Sequence, residues 1–82
     1  MHLTSAAERH LRRLTSRERD TVRRALDRLA DDPGKTDIRK LGGQGGEWRL
    51  RVGRLRVRFL FQDPRHTIEV LDVLPRGRAY RD

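Results

Sequence analysis

Two alternating segments separated by only two residues constrain this chain more than any other feature. Charged and apolar residues alternate over 47–52, and apolar and mostly basic residues alternate over 55–62, after Gly53 and Arg54. A period of two predicts amphipathic β-strands, and a Gly-X pair between them suits a type II′ turn in which Gly takes a positive φ angle. The sequence therefore predicts a tight β-hairpin.

The two-residue turn also fixes the register of this hairpin. Arg51 is placed opposite Arg56, and Arg49 opposite Arg58, on the face away from the apolar side chains. Like charges that face each other across a sheet cost up to about 1 kcal/mol per pair, and we expect no offset inside the hairpin itself. A bound phosphate or a partner's carboxylate is the natural compensation. The alternative is that these four residues, the hairpin arginines, are solvated side chains on an open sheet face.

Two capping boxes predict two consecutive helices before the hairpin. Residues 5–8 and 15–18 both have the spacing at which a hydroxyl and a carboxylate satisfy the first amides of a helix. Apolar residues then recur at helical spacing over about 5–14 and 16–31. The Asp-Asp-Pro-Gly run at 31–34 ends the second helix, since proline disfavours helical geometry in the residue before it.

The remaining segments complete a single α+β domain over residues 1–82. Residues 35–46 are polar and glycine-rich, and a mobile loop is predicted over 42–46. A turn at 63–66 leads to a third strand at about 67–74, which is rich in β-branched residues. The predicted fold is an N-terminal helical hairpin packed on a small antiparallel β-sheet.

Composition limits the classes of function. The chain has 82 residues, 34% of them hydrophobic, so it can bury only one small core. The absence of cysteine argues against a disulfide-linked secreted scaffold and a thiolate metal site, and the lack of a long apolar run predicts a cytoplasmic protein that does not engage a membrane. A formal charge of +8 predicts attraction to nucleic acid, or equally to an acidic protein.

Further cations and one aromatic ring follow the third strand. Arg76, Arg78 and Tyr80 lie near the end of the sequence. From the third strand this tail can approach the hairpin arginines, and it would bring guanidinium groups for phosphate and either a ring for base stacking or a phenol for proton transfer. Taken alone, the tail could also be a frayed basic terminus.

The whole pattern resembles the RelE/ParE superfamily of bacterial type II toxins. The similarity rests on the Lys40-Leu-Gly segment, the arginine-bearing run over 48–59, and the terminal Arg76, Arg78 and Tyr80, and it covers nearly the whole chain. The superfamily usually opens with a full β-strand, whereas only four residues precede the first predicted helix here. The resemblance thus implies a RelE-like fold whose first strand is short or absent.

Resemblance to the RelE branch implies a ribosome-dependent mRNA endonuclease, silenced by a cognate acidic antitoxin in a hetero-oligomeric complex. In such toxins the mRNA 2′-hydroxyl attacks the adjacent phosphodiester, and neither a metal nor another cofactor is expected. The implied catalytic residues are two from the first hairpin strand, one from the second and two from the tail: Arg49, Arg51, Arg56, Arg76 and Tyr80. The implied RNA-binding residues are the neighbouring cations Lys40, Arg54, Arg58 and Arg78.

The implied roles follow from the chemistry of charge. Arg56 and Arg76 would stabilise the negative charge of the phosphorane, while Arg49 or Arg51 would hold the backbone and help neutralise the leaving oxygen. Arginine is a poor proton donor, because its pKa exceeds about 12. Proton transfer therefore falls to Tyr80, to water or to a ribosomal group.

Other titratable residues receive lesser roles. Glu47 is a conceivable base, but it is expected rather to form an ion pair with Arg49, Arg58 or the glycine loop. The three histidines fall outside the matched positions, and their spacing makes no metal site: His2, His10 and His66.

Two alternatives to the nuclease stay open at this point. One is a ParE-like toxin, which poisons DNA gyrase by protein contact. The other is a nucleic-acid-binding module without chemistry, for which the charge and the hairpin arginines would suffice.

Overall fold

A computed structural model describes residues 1–42, 46–62 and 67–75. The tail with Arg76, Arg78 and Tyr80 lies outside these residues, as do the predicted turn at 63–66 and most of the predicted mobile loop. The elements follow in the order β1 (His2–Leu3), α1 (Ser5–Arg13), α2 (Ser16–Asp31), a 3-10 turn (Pro33–Lys35), β2 (Ile38–Lys40), β3 (Glu47–Val52), β4 (Leu55–Gln62) and β5 (Thr67–Pro75).

The strands form one sheet in the order β1-β5-β4-β3-β2, and the predicted α+β class is confirmed. The first strand is only two residues long, as the resemblance implies. It runs parallel to β5, so the sheet is mixed, and the predicted antiparallel pairing does not extend to this edge. Strand β2 lies inside the segment that was predicted to be a polar connection. The strand has only three residues, of which one is apolar, and so short a segment shows no periodicity. It could therefore not be predicted from the sequence.

The hairpin of β3 and β4 has the predicted register. Arg51 pairs with Arg56 and Arg49 with Arg58, and Gly53 in the two-residue turn has a positive φ of 57°. An L-residue with a side chain rarely adopts this angle, so Gly53 is required by the turn itself. The hairpin arginines therefore share one face, as the alternation predicts.

Helix α1 begins at Ser5, as the sequence predicts, but the capping box predicted at residues 5–8 is not the one that caps it. The N-cap is Thr4, whose hydroxyl oxygen accepts the Ala7 N–H at 3.1 Å. Thr4 also donates its own N–H to the Val70 carbonyl at 3.0 Å and its hydroxyl to the Leu71 carbonyl at 2.6 Å. These two bonds to β5 fix where the chain leaves the sheet and turns into the helix.

Helix α2 has the predicted capping box and also stabilises the end of α1. Thr15 and Glu18 exchange the two hydrogen bonds of the box. Arg19 reaches back across the helix connection, where its Nε donates to the Leu11 carbonyl and its Nη2 to the Leu14 carbonyl, both at 3.0 Å. Because a cation is favoured at a helix C-terminus, Arg19 clamps the two helices together.

The two helices cover one face of the sheet, and the core lies between the helices and that face. Val22 and Leu29 of α2 are fully buried, as are Val57, Phe59 and Val70 of the sheet. The opposite face of the sheet, which we call the outer face, carries the hairpin arginines. In the part of the chain that is described, neither helix is long and apolar enough to cross a membrane.

Candidate active site

The outer face is organised in three rows that cross the sheet, because side chains of directly paired residues share a face. The rows are counted from the hairpin turn. The tip row consists of Arg51, Arg56 and Leu74; the middle row of Arg39, Arg49, Arg58 and Asp72; and the far row of Glu47, Leu60 and Glu69.

The tip row holds two of the predicted catalytic residues. Arg51 is exposed, whereas Arg56, on the central strand, is only 3% exposed. Burial of a guanidinium is costly, and it also limits the directions in which the group can point. Arg51 is therefore the more accessible of the two guanidinium groups in this structure.

The middle row contains an ion-pair cluster that joins three strands. Nε and Nη2 of Arg58 donate to the Asp72 carboxylate at 3.0 and 2.5 Å, and Nη1 donates to Glu47 Oε2 at 3.1 Å. The hydrogen bond from Asp72, with the charges of both carboxylates, raises the pKa of Arg58 above its ordinary value, against the opposing effect of burial. Arg58 is thus a permanent cation that is already neutralised.

This cluster corrects the expectation that the charge repulsion between the hairpin arginines has no offset within the hairpin. The repulsion between Arg49 and Arg58 is offset by Asp72 of β5 and by Glu47 of the hairpin itself, so the statement that the hairpin offers no offset was wrong for this pair. The expected ion pair of Glu47 is confirmed, with Arg58 as its partner.

A β-bulge brings Asp72 to the outer face. Arg58 pairs with Asp72, but the next residue, Phe59, pairs with Val70, so Leu71 is an extra residue in β5. One extra residue reverses the alternation of the strand beyond it. Asp72 is thereby turned toward Arg58, and Val73 is turned into the core, where it is 2% exposed. Simple alternation over 67–74 would place both side chains on the wrong faces, and no signal in the sequence marks the bulge.

Strand β2 separates two neighbouring cations onto opposite faces. Arg39 pairs with Arg49 and belongs to the outer face, although it was not among the predicted site residues. Lys40 pairs with Trp48, so it lies on the helix side of the sheet, away from the hairpin arginines. Recognising Arg39 would have required the prediction of β2.

The other predicted site residues are spread more widely. Arg54 is exposed in the hairpin turn, where it lines a shallow cleft with Arg17 and Thr21 of α2. Of the described histidines, His10 has a structural role, because its Nδ1 accepts the Val73 N–H at 3.2 Å. Within residues 1–42, 46–62 and 67–75, no group of acidic or histidine side chains could hold a metal ion.

Comparison with known proteins adds three findings. Residues 1–80 match the family described as ParE toxin of type II toxin-antitoxin system, parDE. A search of curated proteins finds no match. Among solved structures, this chain is similar to several RelB–RelE complexes. The complex from Methanococcus jannaschii has a TM-score of 0.80 at 20% identity over 98% of this chain and 95% of that one.

Two of the others are more similar in sequence. An archaeal RelE–RelB complex from Pyrococcus horikoshii has a TM-score of 0.78 at 27% identity, covering 94% of this chain and 93% of that one. The toxin–antitoxin complex RelBE2 from Mycobacterium tuberculosis has a TM-score of 0.79 at 26% identity, covering 92% and 94%.

Proposed function

The chain belongs to the ParE toxin family of type II toxin–antitoxin systems, within the RelE/ParE superfamily, and we propose that it acts as an endoribonuclease that cleaves mRNA on the ribosome. The observation that carries this proposal is the meeting of Arg49, Arg51 and Arg56 on the outer face, next to the hairpin turn. Three guanidinium groups on adjacent strands suit a phosphodiester that gains negative charge during reaction.

The proposed reaction needs no metal. The 2′-hydroxyl of the mRNA attacks the adjacent phosphorus, the bond from phosphorus to the 5′-oxygen breaks, and a 2′,3′-cyclic phosphate and a 5′-hydroxyl are formed. One proton leaves the attacking hydroxyl and one reaches the leaving oxygen. Arg56 would stabilise the phosphorane, and Arg49 and Arg51 would hold the strand and help neutralise the leaving oxygen.

The tail is proposed to complete this site. By resemblance, Arg76 would share the phosphorane charge with Arg56, and Tyr80 would take part in proton transfer. Arginine cannot donate its proton near neutral pH, so a phenol, a water molecule or a ribosomal group must supply it. Glu47 is not proposed for this step, since its carboxylate is paired with Arg58.

An acidic antitoxin is the proposed regulator. The similar structures are complexes of RelE with RelB, and the charge of +8 would attract an acidic partner. A partner that covers the outer face would block the phosphate site by presenting carboxylates to Arg49 and Arg51. The complex is therefore proposed to be the inactive form.

A second candidate is inhibition of DNA gyrase. The matching family is described by the name ParE and the system parDE, which favours a ParE-like activity. Such a toxin acts by protein contact and does not use the hairpin arginines as catalysts. The two candidates therefore predict different damage in the cell.

Primer extension on a translated message after induction of the toxin tests the proposal. We expect new 5′ ends within codons for the wild-type protein, and a loss of about 100-fold or more for the double variant Arg49→Ala/Arg51→Ala. Arg9→Ala/Arg13→Ala is the matched control, because it removes two exposed arginines from α1 on the other side of the molecule. Intact transcripts with gyrase-linked DNA breaks would support the ParE-like activity instead, and intact transcripts with intact DNA would support a binding module.

A further inference from the structure

The charges of the outer face are unevenly distributed among the described residues. The corner formed by β2, β3 and the hairpin turn carries Arg39, Arg49 and Arg51. The opposite side of the face, along β5, carries Glu69 and Asp72, and Asp72 is paired with Arg58. A polyanion lying on this face is drawn toward the first corner.

A cleft opens at the edge of the sheet beside the cationic corner. It has a volume of about 170 Å³ and lies between α2, the 3-10 turn and β3, with Arg28, Lys35 and Arg51 among its lining residues. The Arg51 N–H donates to the Asp37 carbonyl at 3.0 Å, and both residues line the cleft. Arg51 therefore belongs to both the cleft and the outer face.

The cations of this cleft are available to a ligand. Arg28 is exposed and takes part in no ion pair among the described residues. Lys35 approaches Asp32 only at 3.9 Å, with 86% of its own side chain exposed, and such a surface pair contributes little to stability. The lining contains one carboxylate, that of Asp37, so an excess of positive charge is left.

We propose that this cleft is a second phosphate subsite, which binds an RNA backbone phosphate adjacent to the phosphodiester at Arg49, Arg51 and Arg56. RNA is favoured over an acidic protein because the cations form a line that suits a continuous phosphate backbone. This line runs from the outer face past Arg51 to Arg28 and Lys35 in the cleft. In the other direction, along β5, the described face carries carboxylates and no cation. Arg28 and Lys35 would then set the direction in which the strand crosses the toxin, without reading its sequence.

Salt-dependent RNA binding without ribosomes tests the subsite. The probe is a labelled single-stranded 2′-O-methyl oligoribonucleotide, which lacks the attacking hydroxyl. Each lost phosphate contact reduces the slope of log K against log salt by about 0.7 for a single strand. We expect this reduction for Arg28→Ala/Lys35→Ala, equally for oligonucleotides of different sequence.

The control is Arg9→Ala/Arg13→Ala, which removes the same number of positive charges from an exposed helix face. Its slope should equal that of the wild type. An equal reduction of the slope in the two variants would show a general charge effect and would overturn the proposal. An unchanged slope for Arg28→Ala/Lys35→Ala would overturn it too. A loss of binding to poly-glutamate alone, with RNA binding intact, would also overturn it and identify an acidic protein as the occupant.

The role of the subsite in strand placement rests on the proposed nuclease function, but the two can fail separately. If the RNA slope changes as expected while no message is cut on ribosomes, the subsite stands and the nuclease proposal fails. If messages are cut and the slope is unchanged, the nuclease stands and the subsite fails.

Discussion

The two arginine pairs of the hairpin look equivalent in sequence, yet they differ in the structure. In the tip row, Arg51 is exposed beside the edge of the sheet and Arg56 is buried on the central strand. In the middle row, Arg58 is held by Asp72 and Glu47. The alternation of the hairpin decides which face an arginine occupies, whereas the neighbouring strand decides whether its charge is available.

The comparison assigns different functions to the two rows. A guanidinium that is already neutralised by two carboxylates gains little from a phosphate, so we expect Arg58 to stabilise the sheet. In the tip row, Arg56 pairs with Leu74 of β5, and Arg51 is exposed. Arg51 is therefore a better candidate for phosphate contact than Arg58, whose guanidinium is already held by Asp72 and Glu47.

The largest expected effect is on cleavage by Arg56→Ala. Loss of one preorganised guanidinium at a developing phosphorane costs about 100-fold in rate. The measurement is message cleavage on purified translating ribosomes, with circular dichroism to establish that the variant is folded. Arg13→Ala, on the exposed face of α1, is the control and should cut at the wild-type rate. A folded Arg56→Ala protein of full activity would remove Arg56 from the site.

A smaller effect, on stability, is expected for Asp72→Asn. The Asp72 side chain is 11% exposed and accepts charge-assisted bonds from Arg58, so its loss should cost about 1 to 2 kcal/mol and lower Tm by roughly 5 to 15 °C. Glu69→Gln removes the charge of an exposed carboxylate that accepts a hydrogen bond from Gln62, and it serves as the control, with little change expected in a thermal melt. Equal melting temperatures for the two variants would mean that the ion-pair cluster is not stabilising.

The contribution of Arg58 to the free energy of unfolding is expected to stay constant between neutral and moderately alkaline pH. Because its pKa is raised, its contribution is complete below the pKa of the unfolded chain and is lost only as pH rises through the still higher pKa of the folded state. The difference in unfolding free energy between wild type and Arg58→Leu should be constant from about pH 7 to pH 10. Urea unfolding at several pH values measures it, and a difference that shrinks within this range would contradict the assignment.

Much of the fold follows from local patterns in the sequence. The two helices, the capping box at Thr15 and the hairpin register all depend on residues that are close in the chain. The register follows from a two-residue turn, and the turn needs only Gly53. These features are legible because the periodic signal extends over several residues.

The remainder depends on contacts between distant segments. Thr4 was missed as the cap of α1 because the two bonds that fix its position are made to β5, which is distant in the chain. Asp72 was missed because a bulge at Leu71 reverses its orientation, and Arg39 because β2 is too short to show a period. The predicted set of outer-face residues was therefore incomplete where strand pairing, and not local alternation, decides which side chains meet.

The central claim is that the tip row acts on RNA while Arg58 stabilises the sheet. The most direct measurement compares cleavage on translating ribosomes by Arg51→Ala and by Arg58→Leu/Asp72→Leu, since replacing both members of this partly buried ion pair leaves neither of the two charges without the other. We predict a loss of about 100-fold for the first and a rate within about threefold of wild type for the second. Full activity of Arg51→Ala, together with an inactive but folded double variant, would contradict the account.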